Sequence, residues 1–210
     1  MTVAIAIKFQ NQIYAPTFQL LNDLVATPLA MDPDSNSLLH RFEGLCLHAH
    51  HFGERNKIPV KNNRKLRDIA DSIKHIRSKD PQVTLESFGA WEYKNDLFRF
   101  ISHGIEAKWE PDKTMDAIAC LLGHVNELNR KLQANLPDLK MGESGYGFYD
   151  WAFAYHLPLV SIATLSHRIR ILERTETGNY RSFAPPNLRF VVLAGDLIGS
   201  RPEDHFPEIR

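Results

Sequence analysis

In the run Leu66-Arg67-Asp68-Ile69-Ala70-Asp71-Ser72-Ile73-Lys74-His75-Ile76-Arg77, a guanidinium, a carboxylate and an imidazole recur at every fourth position: Arg67, Asp71 and His75. On a helix that spacing stacks the three side chains on one side, with neighbours roughly 6 Å apart. A carboxylate bonded to one imidazole nitrogen fixes the tautomer and raises the basicity of the other nitrogen, as a proton-transfer group requires. A fixed cation beside it would stabilise a phosphate or an oxyanion. The same residues also make an ordinary charge ladder on a partly exposed helix face.

A second group of chemically active residues is His40, His48, His50 and His51. His48 and His51 are three apart and share a helix face, while His50 points elsewhere. With His124 and Glu127 they supply nitrogen and oxygen donors of the kind a metal site between helices uses. The chain has no Cys-x-x-Cys and no His-Glu-x-x-His pattern, so no metal and no cofactor is expected. Gly142-Glu143-Ser144-Gly145-Tyr146-Gly147 does not have dinucleotide-fingerprint spacing and follows a helix where the fingerprint would follow a strand. It reads as a flexible connector.

The elements that must position these residues follow from periodicity and punctuation. Apolar residues at helical spacing predict a helix from Phe9 to about Ala26, kinked or restarted at Pro16. A second, capped by Asp34 or Ser35, carries Leu38, Leu39, Phe42, Leu45, Cys46, Ala49 and Phe52 inward and ends by Gly53. A third begins at Asn62 or Asn63 and buries Leu66, Ile69, Ala70, Ile73 and Ile76. After Pro81, Val83–Trp91 and Leu97–Trp109 read as two strands of a hairpin. A fourth helix is predicted from Pro111, with Met115, Ile118, Leu121, Leu122, Val125, Leu128 and Leu132 inward.

Beyond Pro137 the pattern turns to strand. Phe148–Leu157 alternates the aromatic stripe Tyr149, Trp151, Phe153 and Tyr155 with smaller or polar residues; Ser161–Leu172 also alternates, although a helix across 159–173 fits as well. Leu188–Leu193 reads as a further strand, and 195–210 as an extended tail. The expected fold is α+β and a single domain over 1–210. Its helical part covers about 1–136 with a hairpin at 83–109, and packs against a small antiparallel sheet at about 146–194.

Composition narrows the function classes. The 210 residues are 43% hydrophobic and 24% charged, with zero formal net charge, ordinary for a globular protein and without a global field to recruit nucleic acid or anionic membrane. No apolar run approaches the roughly 20 residues of a membrane span, and the opening residues lack the basic start of a signal peptide. Cys46 and Cys120 fall on apolar helix faces, as buried thiols of a reducing compartment would. The expectation is a cytoplasmic protein with no membrane association. Nucleic acid remains a conceivable partner through Arg168, Arg170 and Arg174 near the aromatic stripe.

An Arg and a His near the end of a helix, within a helical domain, resemble the HEPN ribonuclease superfamily of bacterial defence and toxin systems. There an Arg and a polar residue precede a His after a gap of four to six residues. Arg67 to His75 has seven intervening residues; Arg41 to His48 has six, with Phe42 where the polar residue stands. The resemblance spans at most 34–135 and implies metal-independent RNA cleavage. In that reading, or in that of a small hydrolase built on the same helix face, His75 or His48 moves the proton, Arg67 stabilises the phosphate or oxyanion and Asp71 orients the imidazole. The competing expectation is a non-catalytic binding or accessory protein with a protein partner or a second copy of itself, a homodimer. The sequence leaves open whether the protein is an enzyme.

Overall fold

The computed structural model describes residues 3–26, 34–60, 63–74, 83–110, 113–148 and 169–185. The chain is mixed α and β. Its helices are α1 (Val3–Phe9), α2 (Ala15–Ala26), α3 (Asp34–Arg55), α4 (Asn63–Lys74) and α5 (Ala117–Leu132). Its strands are β1 (Thr84–Lys94), β2 (Leu97–Glu110), β3 (Lys113–Asp116), β4 (Ile169–Arg174) and β5 (Tyr180–Ser182), hydrogen-bonded in the order β3-β2-β1-β4-β5. The described residues divide into two compact units. One lies within Met1–Leu24, Asn36–Ser87 and Gly104–Gly142, the other within Val25–Ser35, Phe88–His103 and Glu143–Arg210.

The first unit is built on helices. Helix begins at Val3, six residues before the apolar periodicity becomes clear, and Pro16 does not break it. Proline has no N–H for the carbonyl four residues back, and the chain accommodates this with a π-helical turn at Gln10–Tyr14. The Ala15 N–H donates to the Gln10 carbonyl five residues back, and the buried Thr17 hydroxyl donates to the Ile13 carbonyl at 2.7 Å. Phe9, Ile13, Leu20, Leu21 and Leu24 then enter one core with Phe42, Cys46 and Ala49 of α3, Leu66 and Ile69 of α4, and Leu121, Val125 and Leu128 of α5. Cys46 is fully buried, as its apolar surroundings predict, and burial raises its thiol pKa well above the ordinary value.

Both long helices end in the same way. Lys57 is left-handed (φ 53°), Ile58 N–H donates to Gly53 O at 2.9 Å and Lys57 N–H to Glu54 O at 3.0 Å, so α3 runs past Gly53 to Arg55. Gln133 (φ 51°) does the same for α5, with Ala134 N–H bonded to Asn129 O and its own N–H to Arg130 O. These are the paired bonds of a Schellman cap, here made by residues other than glycine. The start of α5 differs from the periodicity reading. The first helical residue is Ala117, with the Asp116 carboxylate accepting the Ala119 N–H at 3.0 Å, and Lys113–Asp116 form β3 on the outer edge of β2. Met115 fits a helical stripe and a short strand equally, and the cap decides between them. Pro111 lies outside the described residues.

The second unit holds the inner parts of β1 and β2 with β4 and β5. Asn95 and Asp96, both with positive φ (51° and 61°), join β1 to β2 in two residues, the turn geometry that matches strand twist. The strands after residue 168 do not form a separate antiparallel sheet. β4 pairs in parallel with β1 (Gly89↔Ile169, Glu92↔Leu172), and β5 pairs antiparallel to β4. Residues 169–174 are therefore strand; 149–168, the stripe Tyr149, Trp151, Phe153 and Tyr155, the strand at Leu188–Leu193 and the tail lie outside the described residues.

Alternation gives this sheet two chemically distinct faces. Trp91 packs on Phe100, Tyr93 on Phe98, and Tyr93 stacks on Phe183 with ring centroids 4.9 Å apart. The opposite face carries Glu92, Arg99, Arg174 and Tyr180. Among the described residues no helix is long and apolar enough to cross a membrane.

Two substitutions test the helix ends by chemical denaturation. Gln133→Gly removes left-handed strain and is expected to stabilise by about 0.5–1 kcal/mol. Asp116→Ala orphans the Ala119 N–H and is expected to cost about 1 kcal/mol.

Candidate functional site

The face of α4 that drew attention in the sequence is simple in the structure. Leu66, Ile69 and Ala70 are buried in the core, so Arg67 and Asp71 face outward, each 54% exposed, with Arg67 Nε 3.9 Å from Asp71 Oδ2. His75 lies outside the described residues. His48 is exposed on α3. Arg41, the other arginine of the Arg–His spacing, is ion-paired to Asp23 at 2.7 Å. Arg67 and Asp71 are thus brought together as a stretched surface pair, and nothing described brings His48 to them.

The histidines sort differently from the sequence reading. His40 Nδ1 meets Glu43 Oε2 at 3.0 Å near the start of α3. At the other end, His50 Nε2 lies 3.2 Å from Glu54 Oε1 and His51 Nδ1 lies 3.1 Å from Glu54 Oε2. One carboxylate therefore holds two adjacent imidazoles. Sequence reasoning paired His48 with His51 and passed over Glu54, although Glu54 stands four and three residues after the two imidazoles, the spacings that meet on a helix. His124 is buried in α5; its Nε2–H donates to the Ala49 carbonyl at 3.2 Å and its Nδ1 has no partner among the described residues. Burial pushes its pKa down to about 4, leaving the ring neutral at physiological pH.

The densest polar constellation surrounds Glu92, and the sequence reading did not single it out. Glu92 is 4% exposed, on β1. Arg99 of β2 reaches it with Nε at 3.0 Å and with Nη2, and Arg174 of β4 donates Nε–H to Oε1 at 3.2 Å. Arg174 Nη2 also holds both oxygens of Glu143, at 3.0 and 2.8 Å, while Arg99 Nη2 donates to Glu143 Oε2 at 3.0 Å. The Tyr180 hydroxyl accepts from both arginines and donates to Glu92 Oε2 at 3.2 Å. The Arg174 guanidinium lies 4.5 Å over the Tyr180 ring.

Burial alone would raise the Glu92 carboxyl; the hydrogen bonds and charge of Arg99 and Arg174 outweigh it and hold the group below its ordinary range. Burial and the two carboxylates push Tyr180 up to about 12. Two carboxylates face two guanidinium groups, so the formal charges cancel. Each of the five side chains hydrogen-bonds at least two others of the set, so the constellation acts as a clasp.

Glu143 and Ser144 belong to the glycine-rich run that the sequence presents as a flexible connector. The run is pinned instead. The Ser144 N–H donates to the Ile101 carbonyl at 2.7 Å, its hydroxyl donates to the Phe100 carbonyl, and the Tyr146 hydroxyl donates to the Ala26 carbonyl at 3.1 Å. The signal available in the sequence was the symmetric placement of Glu92 and Arg99 about Asn95-Asp96, which makes them cross-strand partners once the turn is recognised. Of the basic residues considered for nucleic acid, Arg174 is held in the clasp, Arg170 lies 3.9 Å over the Phe88 ring and Arg168 is outside the described residues.

No family model, no curated protein and no solved structure matches this chain.

Glu92→Gln keeps the shape and removes the charge that faces two cations. It is expected to destabilise by about 2 kcal/mol or more, less than a fully buried pair because Arg174 and Glu143 are partly solvated. The pKa of Glu92 is lowered on folding, so its contribution is complete above about pH 5 and is lost as pH falls through the folded value. Urea unfolding from pH 7 to pH 3 should therefore show a steeper acid loss in the wild type than in Glu92→Gln. Arg67→Ala, at an exposed pair, should change stability by less than about 0.5 kcal/mol.

Proposed function

We propose that this protein is a non-catalytic binding or accessory protein that acts by protein–protein contact, with a second copy of itself as the partner its surface suits. The observation that carries the reading is a set of exposed apolar side chains on the first helical segment. Val3 is 77% exposed, Ile7 52% and Phe18 51%. Val3 and Ile7 are one turn apart on α1; Phe18 follows on α2, beyond the π-helical turn, and all three are exposed while Phe9, Ile13, Leu20 and Leu24 enter the core. Exposed apolar residues scattered singly need no explanation, but Val3 and Ile7 one turn apart, with Phe18 on the same helical segment, favour burial against a partner.

The chemistry of the described polar groups supports the same reading. The five side chains around Glu92 are engaged with one another, His124 is a neutral core residue, and Arg67 and Asp71 form an exposed surface pair. A helical segment that presents exposed apolar side chains can pair with its own copy about a two-fold axis, where each set meets the other. Three side chains are the centre of a small interface, below the roughly 1,200 Å² of a standard one, so association should be weak and concentration-dependent.

Sedimentation velocity over a concentration series tests this directly. The wild type should move from monomer towards dimer as concentration rises. Ile7→Asp and Phe18→Asp should each weaken association at least tenfold while leaving the thermal unfolding temperature unchanged, because neither side chain belongs to the core. A wild type that stays monomeric at high micromolar concentration, or an association indifferent to both substitutions, overturns the reading. RNA turnover that falls in both Arg67→Ala and His75→Ala would favour the ribonuclease alternative.

A further inference from the structure

We propose that His50, His51 and Glu54, in the last turns of α3, form a binding site for a divalent transition ion of the Zn²⁺ type. The three donor atoms are His50 Nε2, His51 Nδ1 and a Glu54 carboxylate oxygen, all within 4.8 Å of one another. A tetrahedral ion with bonds of about 2.0–2.1 Å needs its donors roughly 3.4 Å apart. His50 Nε2 lies 3.2 Å from Glu54 Oε1 and His51 Nδ1 3.1 Å from Oε2, so each imidazole is at that spacing from one of the two carboxylate oxygens. An ion on one of those oxygens would draw the second imidazole across to it and the two rings, with centroids 5.3 Å apart, towards each other.

Ligand chemistry selects the ion. Two imidazoles and one carboxylate suit zinc and its first-row neighbours and are a poor set for calcium or magnesium, which take oxygen. Three protein donors leave a fourth tetrahedral position for water or for a group from a binding partner. His50 is 2% exposed, so one ligand is held in place by the surrounding packing. His51 is half-buried and Glu54 exposed, so an ion can reach the site from solvent.

The position on the helix argues the same way. A carboxylate in the last turn of a helix sits beside the negative end of the helix dipole, where cations are favoured and anions are not. A divalent ion on Glu54 would reverse that mismatch. It would also tie residues four apart, bracing the end of α3 next to its Lys57 cap. The competing cation is Lys74 of α4, whose charge already acts on Glu54.

The experiment uses the full chain, free of any polyhistidine tag and stripped of metal, titrated with ZnCl₂ by calorimetry and with CoCl₂ by visible absorption. One equivalent should bind, with the intense d–d bands of tetrahedral Co²⁺. His51→Ala and Glu54→Gln, both at accessible positions, should each weaken binding at least tenfold and abolish the Zn²⁺-induced rise in unfolding temperature. Lys74→Ala should tighten binding. His40→Ala, which removes the single-imidazole pair with Glu43 on the same helix, should leave it unchanged. Absence of saturable uptake overturns the proposal, as does uptake that His51→Ala and Glu54→Gln leave intact or that His40→Ala removes equally.

Discussion

A carboxylate taken out of water must be neutralised, and much of the second unit is arranged around that requirement at Glu92. The charge sits on a strand flanked by Trp91 and Tyr93, where an apolar residue would be the easier choice. Burying it is tolerable only because Arg99 arrives from the adjoining strand and Arg174 from the parallel one. Two guanidinium groups on one carboxylate would leave an excess of positive charge, and Glu143 removes it. Tyr180 fills the last hydrogen-bonding position. β1, β2, β4, β5 and the 143–148 segment therefore meet through five side chains. The aromatic contacts on the opposite face set how the strands pack, but the clasp sets which segments must be present.

The first unit rests on a different principle. Its core is apolar and continuous, and its polar problems are local ones solved locally: a proline absorbed by a π-helical turn, carbonyls closed by left-handed Lys57 and Gln133, an N–H capped by Asp116. Each solution involves residues within five positions of one another. Helix boundaries shift by a few residues under such effects, but the identity of the buried face does not.

That contrast explains what could be read from the sequence. The inward stripes of α3, α4 and α5 were legible because helical period and burial coincide: Phe42, Cys46, Ala49, Leu66, Ile69, Leu121, Val125 and Leu128 all enter the core. A turn within Tyr93-Lys94-Asn95-Asp96 was legible from turn chemistry, but its two-residue length was not: β1 runs on to Lys94 and only Asn95 and Asp96 connect the strands. β3 was not, because four residues carry too little period to compete with the helix beside them. The parallel pairing of β1 with β4 was not, since no local pattern records which strand a distant segment joins. For the same reason Glu92 and Arg174, 82 positions apart, could not be matched, whereas Glu92 and Arg99 could have been. Of the charge ladder read on α4, Arg67 and Asp71 lie on an outer face, and His75 is outside the described residues.

The reciprocity of the clasp has a consequence for how this chain can change. A reversal of any one of its four charges leaves two like charges facing each other in a partly buried setting, whereas a compensated exchange of two members restores the balance. Substitutions at Glu92, Arg99, Glu143 and Arg174 are therefore strongly non-additive, each one's effect set by the state of the other three. In evolutionary terms these positions form a single heritable unit: a lineage crosses from one charge arrangement to another only through a destabilised intermediate or by coincident change. The surface pair Arg67–Asp71 carries no such restriction and is free to drift.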